Sequence, residues 1–177
     1  MRRRVCGRGD RGAAVLEFAI VLPVIMVLML GMVSGATVWN QSQSLTHGGQ
    51  VAARFGSTVP LPANLANDMD DWLDAIIDRA IAASTGTMDA GVPGRAICVA
   101  YVDPNGAAAD KTQSRRISAA GVRTLATTEC FDDGQGTTAK RVQVMMERTG
   151  TIEIGFQNQT LNIRRTVVYR YEGDVGL

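Results

Sequence analysis

Residues 18–33 read FAIVLPVIMVLMLGMV, sixteen positions without one polar side chain. A run of this length is hard to hide in a small soluble domain, and a membrane-spanning helix needs about 20 such residues. Extended to residues 13–38 it would form a helix roughly 39 Å long at about 1.5 Å per residue, enough to cross about 30 Å of hydrocarbon. The twelve residues ahead of it carry Arg2, Arg3, Arg4, Arg8 and Arg11 against one Asp, a net +4, whereas the whole chain is only +1. The positive-inside rule keeps those arginines in the cytoplasm and sends the carboxyl-terminal part across. The far flank agrees, because no Lys or Arg follows Val38 until Arg54.

Three uses of such a segment compete. It can be a plain anchor. It can be a cleavable secretory signal, with Ser34-Gly35-Ala36 as a small-x-small site, although the apolar run exceeds the usual span of about 7–15 residues. The third use accounts for Glu17. A carboxylate inside a span costs about 2.5–3.5 kcal/mol unless paired, so it marks a functional site. The plain alternative is an interfacial residue that snorkels to the headgroups.

The stretch Gly12-Ala13-Ala14-Val15-Leu16-Glu17-Phe18 resembles the processing site of prepilins of the tight-adherence (Flp) type IV pilus system. Residues 11–23, RGAAVLEFAIVLP, resemble the opening of the TadE-like pseudopilins, and residues 43–55, QSLTHGGQVAARF, resemble the segment after the membrane helix in that family. The resemblance implies cleavage by a prepilin peptidase between Gly12 and Ala13, which makes Glu17 the fifth mature residue. Gly12 has no side chain and adapts to an extended active-site backbone at little steric cost. The arginines would hold the leader against the anionic leaflet at about 1 kcal/mol each. In related pilins the carboxylate at that fifth position pairs with the new α-ammonium, neutralising two charges that would each be costly alone in an apolar setting. Pro23 removes a helical hydrogen bond and is expected to kink or locally unwind the helix. The implied partners are the peptidase, other pilins and pseudopilins, the inner-membrane assembly platform and membrane lipid. Gly48-Gly49-Gln50 departs from the better helix formers usual in the family, and marks the weak point of a helix continuing over residues 40–55.

The rest reads as a small α+β exported domain, residues 56–177. Trp39 suits the outer interface. Val38, Leu45, Ala52 and Phe55 form one stripe on the helix continuation, and residues 56–62 (GSTVPLP) break it. Residues 64–84 form an amphipathic helix with Leu65, Met69, Trp72, Leu73, Ile76, Ile77, Ala80 and Ile81 on one face, Asn64 or Asn67 as cap, and Gly86 as stop. Asp68, Asp70, Asp71, Asp74 and Asp78 lie mostly opposite, a solvated face rather than a metal site. Residues 96–102 are a strand ended by the turn Asp103-Pro104-Asn105-Gly106, and Asp132-Asp133-Gly134 is a second turn; neither has calcium-loop spacing. Residues 107–128 stay ambiguous. Residues 139–148, 151–156 and 160–171 alternate apolar and polar side chains, with turns expected at Thr149-Gly150 and Asn158-Gln159: a three-stranded antiparallel meander.

Cys6 lies in the leader on the reducing side. Cys98 and Cys130 form an even pair in an oxidising compartment, where a disulfide would add about 3–4 kcal/mol in the chain-entropy model. Zinc or a thiol nucleophile would lack ligands, since the only His is His47. Near-neutral charge argues against nucleic acid, and no catalytic constellation, cofactor site or metal site can be assembled. The resulting expectation is a non-enzymatic, pilin-like minor pseudopilin: single-pass in the bacterial inner membrane, amino terminus cytoplasmic, domain periplasmic, acting in pilus biogenesis and surface adhesion. The rival is a signal-anchored or secreted periplasmic binding module without a pilus role.

Overall fold

The computed structural model describes residues 10–65, 68–106, 112–135, 139–154 and 157–173. Two helices, α1 (Asp10–Thr58) and α2 (Met69–Ala83), precede five strands: β1 (Ala96–Val102), β2 (Thr112–Ile117), β3 (Arg123–Ala126), β4 (Arg141–Ile154) and β5 (Gln157–Arg170). The strands form one antiparallel sheet in the order β3-β2-β1-β4-β5. The α+β class is as the sequence implies.

The first half of α1 protrudes alone. Its most apolar stretch has none of its residues buried, and it is the one helix among the described residues long and apolar enough to cross a membrane. Side chains from Val15 to Val33 lie open. Pro23 sits inside the helix without ending it. The second half packs on one sheet face across β4 and β5, and α2 packs beside it across β1 and β2. The core between these layers holds Leu45, Ala52, Leu73, Ile76, Ile77, Ile97, Val99, Tyr101, Val142, Val144 and Met146, all 0–2% exposed. Val38 and Phe55 complete the expected stripe as partly buried neighbours of that core.

Gly48-Gly49-Gln50 does not interrupt α1. The helix keeps small residues there because its neighbours come close. A Cβ on Gly48 would lie 3.0 Å from the Ala80 carbonyl oxygen and 3.2 Å from Met146 Cε, and one on Gly49 would lie 3.1 Å from Val167 Cγ2. Gly48, Ala52 and Gly56 are four apart and form one seam, along which α2 approaches nearer than side chains would allow. The helical weakness of glycine, about 1 kcal/mol each, is offset by that packing.

Three expectations are corrected. First, α2 begins at Met69 with Asp68 as cap residue, and no side chain caps it. The Asn64 carbonyl instead accepts the Asp68 amide at 2.9 Å; Asn67 lies outside the described residues. Second, Thr149-Gly150 is no turn. β4 runs through it, and Gly150 stands opposite Leu161 in the β4–β5 ladder. A Cβ on Gly150 would meet Ile163 Cδ1 at 2.9 Å and Gln41 Oε1 at 3.3 Å, so this glycine serves close packing within the strand. Third, Asn158-Gln159 lies within β5, whose register joins Ile154 to Gln157. The three expected strands are one 14-residue hairpin pair. Ile152 consequently shares the face of Val142, Val144 and Met146 rather than forming another; Phe156 lies outside the described residues. The ambiguous stretch contains β2 and β3.

Candidate functional site: the protruding helix and its junction with the sheet

The residues expected to be processed sit at the free end of α1. Gly12 and Ala13 occupy its first turn, and a Cβ on Gly12 would meet nothing within 4 Å. Glu17 follows four residues later, on the same helical face as Ala13 and one turn away. It is exposed, as is every residue around it. Arg2, Arg3, Arg4, Arg8 and Cys6 lie outside the described residues.

The C-terminal domain reaches α1 as early as Ser34, whose hydroxyl donates to the Glu153 carbonyl at 2.9 Å near the hairpin tip. Residues 13–33 thus stand clear of the domain, about 31 Å of helix at about 1.5 Å per residue, matching the hydrocarbon thickness. Trp39, the expected interfacial ring, is 66% exposed just beyond. Deeper along α1, Arg165 of β5 donates through Nε to Ser42 Oγ at 3.0 Å. His47 is exposed.

The opposite sheet face carries the cysteine pair. Cys98 of β1 and Cys130 are joined, with Cα atoms 5.7 Å apart and a sequence separation of 32. The bond lays the segment around residue 130 over Ala100, Val102 and Met145. A polar cluster holds the same segment. Buried Gln143 accepts the Cys130 amide at 3.2 Å and donates to Glu129 and Asp133 at 3.2 and 2.8 Å. Arg141 Nε lies 2.6 Å from Asp133. Burial pushes the Asp133 carboxyl up, but hydrogen bonds from Gln143 and the Gln135 amide, with the Arg141 charge, outweigh it and hold the group below its ordinary value. The Asp132-Asp133-Gly134 turn is therefore committed to loop fixation.

The acidic face of α2 is likewise engaged. Arg115 of β2 pairs with Asp70 and Asp74, and Arg123 of β3 with Asp74 and Asp78, at 2.5–3.1 Å. The three carboxylates are four apart, so they form a ladder along one side of the helix. Asp71 points elsewhere and is exposed. This ladder escapes a reading of the sequence because both arginines come from the stretch that local pattern leaves ambiguous. Among the described residues no three His, Cys, Asp or Glu side chains gather as a metal site.

The free apolar helix, with Glu17 one turn from Ala13, is the feature that comparison with known proteins addresses. Residues 12–54 match the TadE-like protein family. The match covers about a quarter of the chain: the protruding helix and most of its packed continuation. It includes Gly12, Ala13, Glu17, Pro23, Gly48 and Gly49, so the TadE-like resemblance is shown where the motifs carry it. That family relates the chain to the tight-adherence pilus, and the long apolar helix points to a membrane anchor. No curated protein and no solved structure matches the chain.

Proposed function

We infer that this protein is a minor pseudopilin of a tight-adherence (Flp) pilus. The observation that carries the reading is the solitary apolar helix, exposed along its length, bearing Gly12-Ala13 and Glu17 within a TadE-like stretch. A cytoplasmic leader rich in arginine orients the helix in the inner membrane, and the sheet domain stands in the periplasm. A prepilin peptidase cuts after Gly12. The new Ala13 ammonium then has Glu17 as counter-charge, on its own chain or a neighbour's, within an apolar contact between subunits. Other pilins and the inner-membrane assembly platform are the partners, and the role is assembly rather than catalysis. The periplasmic setting suits the Cys98–Cys130 bond.

Amino-terminal sequencing of the membrane-fraction protein tests this. A chain beginning at Ala13 is expected. Met1 would instead make the segment a plain anchor, and Thr37 would make it a secretory signal.

A further inference from the structure

A groove of about 410 Å³ opens between α1 and β5 where the protruding helix meets the domain, lined by Gly35, Val38, Trp39, Ser42, Leu161 and Arg165. We propose that it seats the phosphate headgroup of an anionic phospholipid from the leaflet on the domain's side. Four observations converge on that occupant. The groove begins two residues beyond Val33, the last residue of the uninterrupted apolar run. Residues 34–39 climb about 9 Å at about 1.5 Å per residue, into and just past a headgroup layer about 5–8 Å deep. The Ser34–Glu153 hydrogen bond holds the hairpin down at this level, so the groove stays beside the span.

The other two observations are chemical. Trp39 and Leu161 are 66% and 47% exposed, apolar surface that lipid glycerol and upper acyl chain would cover. Arg165 is aimed into the groove by Ser42 and forms no ion pair among the described residues. A guanidinium tethered by one neutral hydroxyl keeps donors for a phosphate oxygen. Arg164 also lines the groove, so the control is Arg170, at the far end of β5 opposite Arg141 and outside that lining.

The proposal rests on the membrane-spanning reading of α1, and the experiment separates the two. Full-length protein is reconstituted into phosphatidylcholine vesicles containing brominated phosphatidylglycerol or brominated phosphatidylcholine, and Trp fluorescence quenching is titrated. Buried Trp72 supplies a constant background, which Trp39→Phe measures directly. For wild type, half-maximal quenching is expected at about fivefold lower mole fraction of the anionic lipid. Arg165→Gln should remove that preference while Arg170→Gln keeps it. Equal quenching of wild type by both lipids, or an unaltered preference in Arg165→Gln, overturns the proposal and leaves the groove to a neighbouring subunit. Protein that fails to float with vesicles overturns the span itself, and the lipid site with it.

Discussion

Arg115 holds Asp74 through two parallel hydrogen bonds, Nε to Oδ1 at 2.9 Å and Nη2 to Oδ2 at 3.1 Å. The same guanidinium reaches Asp70 at 3.1 Å. One arginine thus ties the second strand to two turns of α2. Both partners of the Asp74 pair are only about a fifth exposed, so the pair is less screened than a surface one.

Asp74→Asn should therefore destabilise the domain by about 2 kcal/mol, since it leaves Arg115 and Arg123 short of a shared carboxylate. Asp71→Asn should stay within about 0.5 kcal/mol, because Asp71 is exposed. Thermal unfolding of the detergent-solubilised protein measures both. Equal losses would mean that the ladder adds no more than helix-dipole compensation does.

Along the glycine seam the test is steric. Gly48→Val should cost about 1–3 kcal/mol, because its branches enter the space held by the Ala80 carbonyl and Met146. Gly31→Ala should be neutral or slightly stabilising, since nothing lies within 4 Å of its added Cβ. The comparison is again a melting curve.

Replacing Cys98 and Cys130 together by Ser should lower stability by about 3–4 kcal/mol, the chain-entropy value for a loop of this length. Mass measurement after alkylation without reductant should find both thiols protected. If both are alkylated in native protein, the bond does not form in the cell.

The Asp133 carboxyl titrates below its ordinary value of 3.8. Its contribution is therefore fully present above pH 3.8 and is lost as pH falls through the lower folded value. Hydrogen exchange around residue 130 should quicken in that acid range, and Asp133→Asn should abolish this pH dependence. Unaltered acid sensitivity in the variant would assign it to other carboxylates.

Under the proposed role, Glu17→Gln should leave insertion and cleavage intact but abolish crosslinking to other pilins, because it keeps the shape and removes the proposed counter-charge of Ala13. A blot for cleavage beside membrane crosslinking reads both. Wild-type crosslinking in the cleaved variant would reduce Glu17 to an interfacial residue.

Much of the architecture is legible along the chain. The apolar run, the arginine leader, the α2 stripe and strand β1 are local patterns, each decided by neighbours within a few residues. So is the spacing of Gly12, Ala13 and Glu17, on which the proposed processing rests. The misplaced features are those where a residue's local preference opposes its use. Gly48-Gly49 and Gly150 read as interruptions, yet each admits a neighbouring element closer than a side chain would. The hairpin turn is misplaced for the same reason, since Thr149-Gly150 is turn-like only when Gln41 and Ile163 are out of view.

Local order along the chain was enough to give a helix long and apolar enough to cross a membrane and, after it, a disulfide-capable α+β domain, because hydrophobic period and cysteine parity are written in neighbouring residues. Only the tertiary structure decided that Asp70, Asp74 and Asp78 face Arg115 and Arg123, that Gln143 and Arg141 lock the loop carrying Cys130, and that Arg165 meets Ser42 beside the end of the apolar run. Those relations join residues from 8 positions apart, Arg141 to Asp133, to 123 apart, Arg165 to Ser42. No local propensity encodes them; they arise when burial of the apolar faces sets the register of helices on sheet and so chooses which polar groups must satisfy one another.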